Sequence, residues 1–232
     1  MKLFEITSRY NDTLNPDLWD DEKLKAKVAE KLKLIAKEFI EFFEVIDLDV
    51  SDIVITGSNA NYNWTELSDI DLHVIVNLKT VRKNCPDLTD DYFQAKKSLW
   101  NQNHEITIYD QPVELYVQDE KEPHHATGIY SLQNDEWNKK PTFSEPEIND
   151  TAVEEKTKQL KYEISRLIDD KAGDKIVTAM KDKISNYRKN GLKSGGEWST
   201  GNLTFKELRN TGFLEKLYDY ARSKLDDELS LS

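Results

Sequence analysis

The sequence predicts an α+β fold, a small mixed β-sheet with flanking helices followed by a helical C-terminal region, and three observations carry that expectation. Short β-branched or alternating segments at 53–56, 70–76 and 113–117 read as strands. Helical periodicity precedes and separates them, giving a helix-strand-strand-helix-strand order that suits a mixed sheet. After Pro146 the strand signal stops and three helical stretches follow.

Residues 1–20 read as an irregular lead-in ending at Asn15-Pro16-Asp17, a turn or helix-start signal. From Asp20 to Val45 the apolar positions Leu24, Val28, Leu32, Ile35, Ala36, Phe39, Ile40 and Phe43 recur at helical spacing, with Lys and Glu on the other face. Ile53 to Thr56 is a buried strand, broken by Gly57-Ser58. A second strand starts near Asp69. Asp91 to Asn101 reads as a helix with Tyr92, Phe93, Ala95, Leu99 and Trp100 available for burial. His104–Tyr109 and Val113–Val117 are the arms of a hairpin turning at Asp110-Gln111-Pro112. Lys121 to Pro146 reads as a long connection with one ordered piece at Gly128–Leu132. It divides the chain into a core over 1–145 and a helical region over 146–232. In the latter, helices are expected over 152–170, over 171–190 ending at Asn190-Gly191, and over 204–229 opening after a cap at Asn202 or Thr204.

Composition narrows the function. The chain has 232 residues, 38% apolar and 33% charged, enough for one compact core with a helical appendage. No apolar run approaches the roughly 18 residues of a bilayer span, and Met1-Lys-Leu-Phe-Glu-Ile6 lacks the apolar region and cleavage site of a signal peptide. A cytoplasmic setting without membrane partners is the expectation. Cys85 is the single cysteine, which excludes an internal disulfide and a cysteine-based zinc site. The net charge of −12 opposes non-specific binding to DNA or long RNA, since that affinity comes from many cationic contacts to phosphates. One basic cluster, Lys181, Lys183, Arg188, Lys189 and Lys193, followed by Lys206 and Arg209, is suited to a triphosphate or a short RNA.

The segment Ile53–Val76 concentrates the chemistry. Gly57-Ser58 offers backbone N–H groups and a hydroxyl to phosphate oxygens. On the next strand Ile70, Leu72 and Val74 face the core while Asp69, Asp71 and His73 share the opposite face, so the two carboxylates can bind one cation. Glu114 alternates with Val113 and Leu115 and can supply a third. An Asp-x-Asp pair alone is common on the polar face of a half-exposed strand; three ordered elements on suitable strands and turns are not.

This pattern, Gly57-Ser58, then Asp69-Ile70-Asp71-Leu72, then Val113-Glu114-Leu115, resembles the nucleotidyltransferase superfamily that includes DNA polymerase β. The later segments HHATGIYSLQNDEW (124–137) and GGEWSTGNLTFKELRNTGFLEKL (195–217) look like uncharacterised nucleotidyltransferases encoded by bacteriophages, which would place the protein in a host cytoplasm. The resemblance implies that Asp69, Asp71 and Glu114 are the catalytic residues and hold Mg²⁺ or Mn²⁺. It further implies that Gly57 and Ser58 meet the triphosphate of an NTP such as ATP, and that a basic residue of the helical part, with Lys193, Lys181 and Arg188 as candidates, does so too. The reaction implied is transfer of NMP to a hydroxyl acceptor with release of pyrophosphate. A short RNA or tRNA end, a small molecule, a protein or a second nucleotide all stay open as acceptor. A silent nucleotide-binding or regulatory descendant is the alternative, against which the three retained carboxylates argue. Asn59, Asn61, His73, the loop pair His124-His125 and Trp198 are weaker candidates for substrate contact, and for His73 and Trp198 a structural role competes.

Overall fold

The computed structural model describes residues 11–45, 48–79, 83, 89–124, 126–143 and 146–230. Among these, residues 11–143 and residues 146–230 form two compact units, each described by itself. Cys85 and His125 lie outside the described residues.

The first unit opens with a small antiparallel hairpin, β1 (Trp19–Asp20) and β2 (Lys23–Leu24). The helix expected from Asp20 therefore starts later, as α1 (Ala26–Phe42). Leu24 fits the helical spacing but is buried from the hairpin, whose turn needs a left-handed residue, Asp21 at φ 52°. Within α1 the buried residues Val28, Leu32, Ile35, Ala36 and Phe39 follow the expected stripe.

β3 (Val50–Thr56), β4 (Ile70–Val76), β5 (Thr107–Ile108), β6 (Gln111–Asp119), β7 (Ile129–Ser131) and β8 (Glu136–Lys139) form a sheet of order β5-β6-β4-β3-β7-β8. Only β4 and β6 pair in parallel, so the sheet is mixed. Parallel neighbours need a crossover, here α2 (Thr89–Asn103). Of the side chains expected to be buried on α2, Phe93 and Trp100 are, whereas Tyr92, Ala95 and Leu99 are exposed. Phe39, Phe43, Phe93 and Trp100 pack edge to face between α1 and α2, with ring centroids 4.6–5.4 Å apart. This aromatic layer covers the sheet face lined by Ile53, Ile55, Ile70, Leu72, Val74 and Leu115. Each such fully buried side chain contributes about 1.5–3 kcal/mol.

The hairpin before Glu114 exists, with a tighter turn than expected. Tyr109 and Asp110 form it, at φ 50° and 64°, and Pro112 lies inside β6 opposite Thr107. Two consecutive left-handed residues give the mirror-image turn whose twist matches the strands. His104, expected in a strand, instead follows α2, stacked on Trp100 with centroids 4.0 Å apart.

The connection after Lys121 holds more structure than its composition suggests. β7 and β8 extend the sheet, and Trp137 of β8 stacks on Trp19 at 4.8 Å. Between them Asp135 accepts a hydrogen bond from the Tyr130 hydroxyl (2.8 Å) and pairs with Lys23 (3.2 Å). These contacts hold the Asp135 carboxyl below its usual range, while burial and Asp135 push the Tyr130 phenol up to about 12. A depressed carboxylate contributes stability above the unfolded-state pKa and loses it as pH falls through the folded one. Asp135→Asn, which tolerates the φ of 56°, is thus expected to lower the thermal midpoint slightly at pH 7, with the gap to wild type closing as the medium is acidified below about pH 4. A gap that persists at low pH in thermal melts would refute this ion-pair account.

The second unit consists of α3 (Asp150–Asp169), α4 (Asp174–Gly195), a single 3₁₀ turn at Gly196–Trp198, α5 (Thr200–Asn210) and α6 (Phe213–Leu229). Leu160, Ile164, Leu167, Val177, Ile184, Leu208, Leu214 and Leu217 form its core. Asn190-Gly191 does not end α4. Gly191 sits inside the helix because a neighbour comes close: a Cβ there would stand 3.0 Å from the Gly201 Cα, and one on Gly201 would stand 2.4 Å from the Tyr187 carbonyl oxygen. The cap of α5 is Ser199, which accepts from the Asn202 N–H, and the expected last helix is two, broken at Thr211-Gly212. No described helix is long and apolar enough to cross a membrane.

Candidate active site

Strand pairing sets the geometry of the polar sheet face. In the β3–β4–β6 register Thr56, Asp71 and Glu114 stand in one row, and Val54, His73 and Tyr116 in the next. Paired residues point the same way, so Asp71 and Glu114 are adjacent by construction. Asp69, just before β4, completes the group. One carboxylate oxygen from each of Asp69, Asp71 and Glu114 lies within 4.8 Å of the others, and all three residues are half-buried. Among the described residues this is the cluster able to hold a metal ion. Three hard oxygen donors suit Mg²⁺ or Mn²⁺ and not the nitrogen and sulfur preferences of zinc.

Gly57 follows β3 at φ 72° and ψ −157°, a region essentially reserved for glycine. A Cβ at this position would stand 1.8 Å from Asp71 Oδ2. The glycine thereby lets the turn lie directly against the second aspartate. Ser58 opens a 3₁₀ turn (Ser58–Ala60), and its hydroxyl donates to Ser68 Oγ at 3.0 Å, immediately before Asp69.

Buried amides tie these pieces together. Asn15 Nδ2 donates to Asn59 Oδ1 (2.8 Å) and to Gln111 Oε1 (3.0 Å), Asn59 Nδ2 donates to the Asp69 carbonyl (2.8 Å), and Trp19 Nε1 donates to the Asn59 carbonyl (2.8 Å). Asn15 and Asn59 are fully buried and Gln111 nearly so. A satisfied buried network of this kind rigidifies its surroundings. Here it links the lead-in, the Gly-Ser turn, the backbone of Asp69 and the start of the strand that carries Glu114. Asn59 is thus an internal brace. Asn61 donates to Thr127 Oγ1 at 2.7 Å.

A family model described as nucleotidyltransferase domain matches residues 32–190. The chain belongs to the nucleotidyltransferase family. The match begins within α1, takes in the whole Gly57 to Glu114 arrangement and runs into α4. A solved structure, the STING-associated CdnE c-di-GMP synthase from Capnocytophaga granulosa, aligns over 98% of this chain and 98% of that one at 14% identity, with a TM-score of 0.23. So loose a superposition carries no argument about this nucleotidyltransferase. A comparison with curated proteins gives no match.

Two further side chains of the nucleotidyltransferase stand at the carboxylates. Tyr116 donates its hydroxyl to Glu114 Oε2 at 2.5 Å, and Lys97 of α2 places Nζ 3.7 Å from the centre of the Tyr116 ring. Burial pulls the Lys97 ammonium below its ordinary value, opposed by the charges of Glu114 and Asp71. Burial pushes the Tyr116 phenol up, reinforced by the hydrogen bond to Glu114. His73 stacks on Tyr116 (4.7 Å) and its Nδ1 meets Gln118 Oε1 at 3.0 Å. Burial lowers its pKa and so favours the neutral ring, opposed by the Gln118 hydrogen bond. Period-two spacing puts Tyr116 on the face of Glu114, a signal present in the sequence; Lys97 arrives only through the packing of α2.

The basic candidates lie in the helical unit. Arg188 donates to Asn202 Oδ1 (3.2 Å) and stacks on Phe205, and Lys181 stands over Tyr218. Lys183 pairs with Glu163 and Lys206 with Glu197. Lys193 is exposed in the last turn of α4. Trp198 closes the following 3₁₀ turn, half-buried.

Proposed function

We propose that this nucleotidyltransferase moves a nucleoside monophosphate from an NTP to a hydroxyl acceptor and releases pyrophosphate, using Mg²⁺ or Mn²⁺ held by Asp69, Asp71 and Glu114. The convergence of these three carboxylates on one sheet face carries the proposal. A divalent cation bound there would supply charge neutralisation of the triphosphate and of the attacking and leaving oxygens. Asp69 and Asp71 would hold the cation. Glu114 would bind the catalytic cation and help to deprotonate or orient the acceptor hydroxyl. Gly57 lets the backbone of the turn come close to Asp71, and the hydroxyl and backbone N–H of Ser58 would offer donors to the β- and γ-phosphates.

The acidity of the chain favours a compact acceptor, such as a tRNA or short RNA end, a small molecule, a protein side chain or a second nucleotide, over long nucleic acid. A cytoplasm is the proposed setting, that of a host if the gene is carried by a phage as its later segments suggest. The test is incubation with each α-labelled NTP, Mg²⁺ or Mn²⁺ and cell extract, with D69A/D71A as control, followed by fractionation into RNA, protein and small molecules. Label in one fraction, absent with the control protein, identifies acceptor class and base preference together. No label anywhere, alongside a thermal shift with MgATP, would replace the proposal with that of a silent nucleotide binder.

A further inference from the structure

We propose that Tyr116 is a positioning residue that fixes the Glu114 carboxylate for cation binding, an inference that rests on the metal-site reading above. A glutamate side chain has three rotatable bonds, and its place in the sheet fixes only the first atoms. The hydroxyl of Tyr116, two residues on along β6, reaches back to Glu114 Oε2 at 2.5 Å. One oxygen is then committed to the phenol, and the other remains available to a cation shared with Asp69 and Asp71.

The tyrosine is itself held. Its register partner on β4 is His73, whose ring stacks on it at 4.7 Å with 26° between planes, and Gln118 meets that imidazole at 3.0 Å. Lys97 Nζ lies 3.7 Å from the ring centre, near enough for a cation–π attraction. Tyr116 alone thus reaches the carboxylate oxygen, while His73 and Lys97, from β4 and α2, hold its ring and Gln118 holds His73. Such outer partners commonly tune a metal site, and removing one typically costs about 10- to 100-fold in metal affinity or activity.

The experiment uses the full chain and Mn²⁺ alone, read by electron paramagnetic resonance of the free ion, for wild type, Y116F, E114Q and E114Q/Y116F. Phenylalanine keeps the ring against His73 and Lys97, and thermal melts verify the fold. Y116F is expected to weaken Mn²⁺ binding about tenfold and to add nothing in the E114Q background. In transfer assays Y116F should raise the Mg²⁺ concentration needed for half-maximal rate while kcat recovers at saturating Mg²⁺. Wild-type Mn²⁺ affinity in Y116F overturns the inference, as does an equal loss in both backgrounds, which would mean a packing effect bypassing Glu114. If E114Q binds Mn²⁺ as tightly as wild type, the metal-site reading itself fails, and Tyr116's role with it.

Discussion

Asp71→Ala is expected to abolish nucleotidyl transfer while leaving the protein folded. Asp71 sits centrally in the site, opposite Glu114 in the parallel register and one residue from Asp69 across Ile70. Removing it takes away the middle carboxylate of the proposed metal site, and a loss of about three orders of magnitude is expected if that group stabilises transition-state charge as proposed. The fold loses little, because Ile70 and Leu72, which face the core on either side, are untouched. In metal-free buffer, deletion of one of three close carboxylates relieves repulsion, so the thermal midpoint should equal or exceed that of wild type. Turnover within tenfold of wild type would remove Asp71 from the proposed chemistry. Unfolding of the variant would instead make it a structural residue.

Gly57→Ala is expected to have the next largest effect, for two reasons that act together. The added methyl would have to share space with Asp71 Oδ2, 1.8 Å away, and alanine would be forced into a backbone region at φ 72°, ψ −157° that costs about 1–3 kcal/mol. The turn must shift, and with it the aspartate. A displacement of about 1 Å at a reacting centre can cost 10²-fold in rate, so transfer should fall by about that factor. The thermal midpoint should drop by roughly 2–4 °C per kcal/mol lost, as for a chain of this size. Measuring both separates the contributions: a lowered midpoint with unchanged turnover would mean that the turn relaxes without moving Asp71.

The strand that carries Asp71 was legible in the sequence because a single sheet face imposes strict alternation. Ile70, Leu72 and Val74 are fully buried, and Asp71 and His73 lie on the other side as period two demands. The same rule placed Glu114. That β4 and β6 run parallel and side by side was not legible, since alternation says which face a residue takes and nothing of which strand lies next to it. β8 escaped notice because Glu136–Lys139 is mostly exposed and shows no apolar pattern. The turn at Tyr109-Asp110 lacks the glycine that usually marks two left-handed residues. The start of α1 and the passage of α4 through Gly191 were misread for a shared reason, that tertiary contacts used residues whose local signals pointed elsewhere. Lys97 and the Asn15–Asn59–Gln111 network are products of assembly. Each joins segments far apart in the chain, and an isolated Asn or Lys carries no local mark of its eventual partner.

The parallel register of β4 and β6 bears on the order of events as the chain folds. Asp69 and Asp71 come with one strand, but Glu114 joins them only when α2 has formed its crossover and β6 has docked, a slow kind of contact because loop closure precedes any reward. A nascent or partly unfolded chain offers two carboxylates and a weak hold on cations; the finished sheet offers three. Divalent ions would therefore act as selective ligands of the completed topology, drawing late intermediates forward and slowing the escape of β6 once it has docked.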